Sequence, residues 1–157
     1  MSDVHSKEQR SRNMAAVGAK NTKPELRVRS FLHKMGFRFR LHRKELPGSP
    51  DIVLVTQKTA IFVHGCFWHC HDCKHGQQTP TTHPEFWKLK RDATLTRDLR
   101  NKQALQDLGW NVATIWECQT KRKEEIAKFV EQTLMGSSAR PISNIRVQSD
   151  ISQTSTT

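Results

Sequence analysis

Asp51-Ile-Val-Leu-Val-Thr-Gln-Lys-Thr-Ala-Ile-Phe-Val-His64 contains two apolar runs on either side of four polar residues. β-Branched and aromatic residues dominate both runs, and the polar break has the length of a hairpin loop. The spacing predicts antiparallel strands Asp51–Val55 and Ala60–His64 joined by Thr56–Thr59. Pairing Val55 with Ala60 sets Asp51 opposite His64, and directly opposed residues share a face. A carboxylate and an imidazole would then meet at the open end of the hairpin. A slip of one residue would separate them.

Upstream, Phe37, Phe39 and Leu41 alternate with Arg38, Arg40 and His42, the period of a half-buried strand. Before it, Thr22 followed by Glu25 has the spacing of a capping box, with Pro24 tolerated in the first turn and Gly36 closing the helix. Leu26, Phe31, Leu32 and Met35 form the expected apolar side of that helix. Ser6 and Gln9 repeat the capping pattern and open a short helix to about Val17. Downstream, Pro84–Leu108 reads as a helix with a break near Ala93, Trp110–Trp116 as a strand and Glu124–Leu134 as another helix. The order helix, strand, hairpin, helix, strand, helix predicts an α/β fold with helices flanking a central mixed β-sheet.

Lys and Arg number 26 against 15 Asp and Glu, an excess that suits a polyanion such as nucleic acid. Residues 1–50 hold 12 basic residues and 4 acidic ones, so the surplus lies in the N-terminal third. The reading divides the chain into a basic helix over 1–20 suited to clamping nucleic acid, a folded body over 21–135 and a Ser/Thr-rich tail over 136–157 that is expected to be disordered. No apolar run has the length of a membrane span, and no signal peptide opens the sequence. A cytoplasmic monomer working at the nucleoid is expected. In that compartment the four cysteines are metal ligands or free thiols rather than disulfides.

Gly65-Cys-Phe-Trp-His-Cys-His-Asp-Cys73 packs three Cys and two His into nine residues. Thiolate and imidazole are the donors that Zn²⁺ takes in tetrahedral sites. Cys66, His71 and Cys73 are close enough for one loop to wrap an ion, and Cys118, just past a predicted strand, would complete the set. His69 and Cys70 are rival donors, since Cys70-x-x-Cys73 is itself a zinc-like spacing. Four protein donors leave no open position, so such a zinc is structural.

Pro50-Asp51 at the start of an apolar strand resembles the first half of a nuclease signature in which carboxylates on a bent hairpin bind Mg²⁺. Mg²⁺ takes oxygen ligands, and one or two carboxylates with a phosphate suffice. Asp51 supplies one such ligand, with the backbone carbonyl of Val63 beside it. The second half of the signature, a carboxylate, any residue and then Lys, is replaced by Phe62-Val-His-Gly65. That leaves His64 and His69 as bases to activate water. Glu25 either reaches the same site from its helix or only caps that helix, and Asp51 has the alternative role of closing a turn.

Six stretches closely resemble, in the same order, motifs of the very short patch repair (Vsr) endonucleases: Arg10-Ser-Arg-Asn-Met14, Leu46-Pro-Gly-Ser-Pro-Asp51, Phe62-Val-His-Gly-Cys-Phe-Trp-His69, Glu85-Phe-Trp87, Leu108-Gly-Trp110 and Ile115-Trp-Glu-Cys118. The likeness covers about residues 3–135. It implies a restriction-endonuclease-like fold and a strand-specific nick beside T·G mismatches left by deamination of 5-methylcytosine. It also implies Mg²⁺ at Asp51, water activation by His69 with help from His64 and Glu25, and structural zinc on Cys66, His71, Cys73 and Cys118. Phe67, Trp68 and Trp87 stand where the family drives a wedge into the base stack. Arg10, Arg12 and Asn13 are the expected contacts to the DNA backbone, and a MutL-like repair protein is an implied partner. Two residues depart from the pattern: Val63 stands where the best-known members have Thr, and Cys70 where they have His. The rival readings are a zinc-containing DNA-binding module without catalysis and an RNA-processing nuclease of the same fold, since basic surfaces and aromatics serve both polymers.

Overall fold

Thr22 opens helix α1 (Lys23–Lys34) as its spacing requires, accepting the Glu25 N–H on Oγ1, with Pro24 in the first turn where no N–H is needed. The computed structural model describes Ser6, Glu8, Gln9 and residues 20–135. Ser6 and Gln9 exchange both bonds of a capping box, Ser6 N–H to Gln9 Oε1 at 3.1 Å and Gln9 N–H to Ser6 Oγ at 3.2 Å. The remainder of that expected helix, with Arg10, Arg12 and Asn13, and the 136–157 tail lie outside the described residues. In α1 the buried side is Glu25, Val28 and Leu32. Leu26, expected on that side, is 50 % exposed.

Only Arg40 and Leu41 pair as strand β1, a shorter element than the expected Phe37–Leu41. Phe37 and Phe39 still turn inward onto the core. His42 then takes a left-handed φ of 46°, which ends the strand.

β2 (Ile52–Leu54) and β3 (Thr59–His64) pair antiparallel, with Ile52 opposite Ile61, Val53 opposite Ala60 and Leu54 opposite Thr59. This shifts the expected Val55–Ala60 register by two residues. The tip is Val55–Lys58, closed by a 3.1 Å bond from the Lys58 N–H to the Val55 carbonyl and by a Lys58 φ of 51°. Val55 has the composition of a strand residue yet is 53 % exposed, while Thr59 is buried. A slip of two leaves every side chain on its original face, so alternation alone does not distinguish the two registers. Extended by one residue, the observed pairing sets Asp51 against Phe62 instead of His64.

β4 (Asn111–Trp116) runs parallel to β3, from Thr59 opposite Asn111 to His64 opposite Trp116. The sheet order is β1-β2-β3-β4, mixed as expected. Parallel neighbours need a crossover, here residues 65–83 and the long helix α2 (Pro84–Asp107). α2 has no break near Ala93; instead the Thr94 hydroxyl folds back on the Lys90 carbonyl at 3.0 Å. Helices α3 (Glu117–Thr120) and α4 (Lys123–Val130) follow, and Glu131–Met135 winds as one π turn. No described helix is long and apolar enough to cross a membrane.

Val28 and Leu32 of α1, Ile52, Leu54, Ile61 and Ile115 of the sheet, and Ile126 and Val130 of α4 close one core between the sheet and these two helices. Ile61→Ala should cost about 2–5 kcal/mol in urea unfolding, since the site is fully enclosed. Leu89→Ala, at a residue 72 % exposed, should change stability by less than about 0.5 kcal/mol.

Candidate active site and metal centre

Asp51 lies at the open end of the hairpin, where its Oδ2 accepts the Val63 N–H at 2.7 Å. Burial, the largest influence, raises its carboxyl from 3.8 to about 6. The residues beside it are Glu25 and His42, and the three offer donor atoms within 4.8 Å of one another. His42 Nδ1 faces Asp51 Oδ1 at 3.8 Å, and His42 Nε2 faces Glu25 Oε2 at 3.4 Å. Glu25 lies both at the N-terminus of α1 and beside His42 and Asp51. Its carboxylate accepts from the Asn21 N–H at 3.1 Å, from the Thr22 hydroxyl at 3.1 Å and from Arg29 at 2.7 Å. Burial also holds His42 below the usual histidine range. The side chain of Val63 packs against the core, so only its backbone addresses the site.

His64 and His69 form a second cluster, joined by Asp98 of α2. The two imidazoles stack at 3.7 Å, nearly coplanar at 6°. Asp98 Oδ2 lies 2.5 Å from His69 Nδ1, which leaves Nε2 as the free nitrogen of that ring. Burial, followed by the neighbouring His69, lowers His64 to about 4, so His64 is neutral at physiological pH. His42 and Asp98 were not among the residues anticipated. Each carries little local signal: one follows a short strand, and the other is one of several acids on a charged helix.

Cys66, His71, Cys73 and Cys118 converge, with all four donor atoms within 4.8 Å of one another. A tetrahedron with bonds of about 2.0–2.3 Å has edges of roughly 3.3–3.8 Å, so a small contraction closes it on one ion. The donors themselves, three sulfurs and one imidazole, are a zinc set. His71 turns Nδ1 to the Cys118 sulfur at 3.5 Å and Nε2 to Asp72 at 3.1 Å. Burial pushes the Cys66 thiol up to about 12 and raises that of Cys118, while a hydrogen bond with His71 brings Cys73 down to about 6. The two rivals face elsewhere. His69 bonds Asp98, and the Cys70 sulfur accepts from Arg91 Nε at 3.1 Å. Gly76 makes the loop possible, because a Cβ there would lie 1.9 Å from the His71 carbonyl oxygen.

Phe67, Trp68 and Trp87 form a ring cluster with centroids 5.3, 5.8 and 5.6 Å apart, all half-buried between the Cys/His loop and the first turn of α2. Phe86 extends it outward at 56 % exposure, and Lys90 and Arg91 lie over its faces.

A family profile described as DNA mismatch endonuclease Vsr matches residues 2–75. The Escherichia coli (strain K12) protein named DNA mismatch endonuclease Vsr is 42 % identical over 126 residues, 80 % of each chain. The chain belongs to the Vsr family. Other Vsr-like relatives are named type II nicking enzymes. V.XorIIP of Xanthomonas oryzae pv. oryzae is 50 % identical across 76 % of this chain and 87 % of its own. V.NmeAIP of Neisseria meningitidis is 42 % identical across 78 % and 87 %.

Two outcomes follow from the geometry. Gly76→Ala removes no donor, yet zinc loaded onto the four donors should be released from it at a chelator concentration at least about tenfold lower than from wild type, because the new methyl group and the His71 carbonyl cannot both fit. Normal zinc retention, measured with a colorimetric chelator, would contradict the close approach. Asp51→Asn keeps an oxygen for the Val63 N–H and removes a buried charge. A carboxyl raised in the folded state contributes most below its unfolded value, and that contribution is lost as the pH rises through about 6. Without added divalent ions, the substitution should therefore leave stability near pH 4 almost unchanged. At pH 7 it should raise stability by up to roughly 3 kcal/mol, read by urea unfolding.

Proposed function

We propose that this chain nicks one strand of duplex DNA beside the T of a T·G mismatch, with Mg²⁺ as the catalytic ion and His69 as the base. The observation that carries the reading is the Asp98–His69 pair within a member of the Vsr family. An imidazole whose Nδ1–H is held by a carboxylate presents Nε2 as a proton acceptor in a fixed direction. His64, stacked on the same ring and neutral, fixes its plane without adding a competing charge.

Asp51 and the Val63 carbonyl would hold the ion, which would supply positive charge to neutralise the phosphate and the leaving oxygen. Water attacks phosphorus in line with the leaving sugar oxygen. Its proton passes to His69 Nε2, the bond to the sugar oxygen breaks, and Asp98 stabilises the imidazolium that forms. Glu25 completes the negative side of the Asp51 cluster. Zinc on Cys66, His71, Cys73 and Cys118 would fix the loop that carries His69, since that residue lies between two of the donors in sequence.

Phe67, Trp68 and Trp87 would enter the base stack. Unstacking a step costs a few kcal/mol, and less at a mismatch, so such a wedge selects weakened pairs. The basic N-terminal segment, including Arg10, Arg12 and Asn13, would grip phosphates and supply affinity without sequence information.

A panel of duplexes carrying every mismatch, incubated with Mg²⁺ and scored for single-strand nicks, tests the reading. Nicking should be confined to T·G. His69→Ala should lower kcat about a hundredfold or more, and Asp98→Asn about tenfold. Trp68→Ala should keep its zinc and fold but lose preference for the mismatch. Wild-type turnover in His69→Ala, or equal nicking of paired and mismatched duplexes by the native chain, would overturn the assignment.

A further inference from the structure

His42 is a member of the Asp51 cluster that the proposed mechanism leaves without a task. Its side chain is only 14 % exposed, and its backbone is held at a φ of 46° directly after β1. A left-handed conformation costs a non-glycine residue about 1 kcal/mol or more, so the surroundings hold this ring in place against a local preference. One ring nitrogen faces Asp51 Oδ1 at 3.8 Å, and the other faces Glu25 Oε2 at 3.4 Å. The imidazole therefore stands between two carboxylates, one at each nitrogen.

Metal-bound histidines have this arrangement: one nitrogen on the ion beside another ligand, and the opposite N–H on a carboxylate that orients the ring and raises its basicity. An ion about 2.1–2.2 Å from each donor requires them to lie no more than roughly 4.3 Å apart. The 3.8 Å between Nδ1 and Asp51 Oδ1 meets that condition with both side chains where they stand. Glu25 is already occupied by Asn21, Thr22 and Arg29, which suits it to orient His42 rather than to hold an ion. Arg29 Nη2 also lies 2.9 Å from His42 Nε2. Before an ion arrives, Nε2 thus accepts from Arg29 and the ring proton resides on Nδ1. With an ion on Nδ1 the ring proton would sit on Nε2 and be donated to Glu25, and Arg29 would keep its bonds to Glu25 and Asn21.

We infer that His42 is a nitrogen ligand of the ion held by Asp51, oriented from behind by Glu25, and that the site consequently binds Mn²⁺ more tightly than Mg²⁺, the ion of the proposed reaction. Imidazole is a poor ligand for Mg²⁺, which demands oxygen, and a better one for first-row transition ions. The inference rests on the reading of Asp51 as a metal ligand.

Pulsed electron paramagnetic resonance of Mn²⁺ bound to the full-length chain, prepared with ¹⁴N- and with ¹⁵N-histidine, tests it directly. The wild type should show a nitrogen coupling that changes with the isotope. That coupling should persist in His64→Ala and His69→Ala and vanish in His42→Asn. Asparagine tolerates the left-handed backbone and offers an amide oxygen in place of the ring nitrogen. Equilibrium titration of His42→Asn should find Mn²⁺ weakened about tenfold and Mg²⁺ by less than about threefold. If His42→Asn does not fold, His42→Gln takes its place, and the nitrogen coupling should vanish in it as well. No nitrogen coupling in the wild type, or a coupling that survives in folded His42→Asn, overturns the role of His42. Asp51→Asn separates the two readings. If it loses Mn²⁺ while the wild type shows no nitrogen coupling, only His42 is removed from the site. If it binds Mn²⁺ as tightly as the wild type, the assignment of Asp51 fails as well.

Discussion

Parallel pairing sends two strands out of a sheet at the same end, and β3 and β4 use this to assemble the site. His64 is in register with Trp116, so Cys66 and Cys118, each two residues further along, leave the sheet side by side. Trp116 then lies between the His64–His69 pair and the Cys/His cluster. Its ring stacks on His71 at 4.4 Å and meets His64 edge-on at 5.5 Å. Within the crossover loop, Cys66 and Gly76 are the buried positions. What shapes the loop is therefore the strand ends beneath it and the thiol and imidazole donors within it, more than apolar burial.

The uninterrupted course of α2 gives the site a second frame. A helix rises about 1.5 Å per residue, so Trp87 and Asp98 are held roughly 16 Å apart on one rod. Leu105, fully buried, anchors the far end of that rod in the fold. One element therefore carries an aromatic of the ring cluster, the carboxylate that turns His69, and an attachment to the interior. A kink near Ala93 would uncouple the first two of these.

Local chemistry was legible in the sequence where a short pattern decides the outcome. The Ser6–Gln9 and Thr22–Glu25 caps depend on residues three apart, and both form. The Cys/His cluster was legible from density, although its separation from His69 and Cys70 depends on Asp98 and Arg91, which lie 29 and 21 residues downstream. The hairpin register was not legible, because Val55 and Ala60 both suit a strand. The left-handed turn at Lys58 and the burial of Thr59 decide between the registers. His42 and Asp98 were missed for a related reason: their importance comes from partners supplied by other elements, and neither belongs to a recognisable local spacing.

With the order β1-β2-β3-β4, β4 is an edge of the sheet among the described residues. Its six residues, Asn111-Val-Ala-Thr-Ile-Trp116, include no charge, no proline and no glycine. Segments of that composition at a sheet edge are templates for pairing with another chain, and charged residues beside them act as gatekeepers. Here the nearest gatekeepers are Asp107 before the strand and Glu117 after it. The parallel partner β3 comes from far away in sequence, so during folding this strand waits for a non-local contact while its neighbours form local ones. Aggregation in concentrated refolding mixtures should begin at this strand, and the parallel pairing that brings the two clusters together also leaves the newly made chain open to self-association.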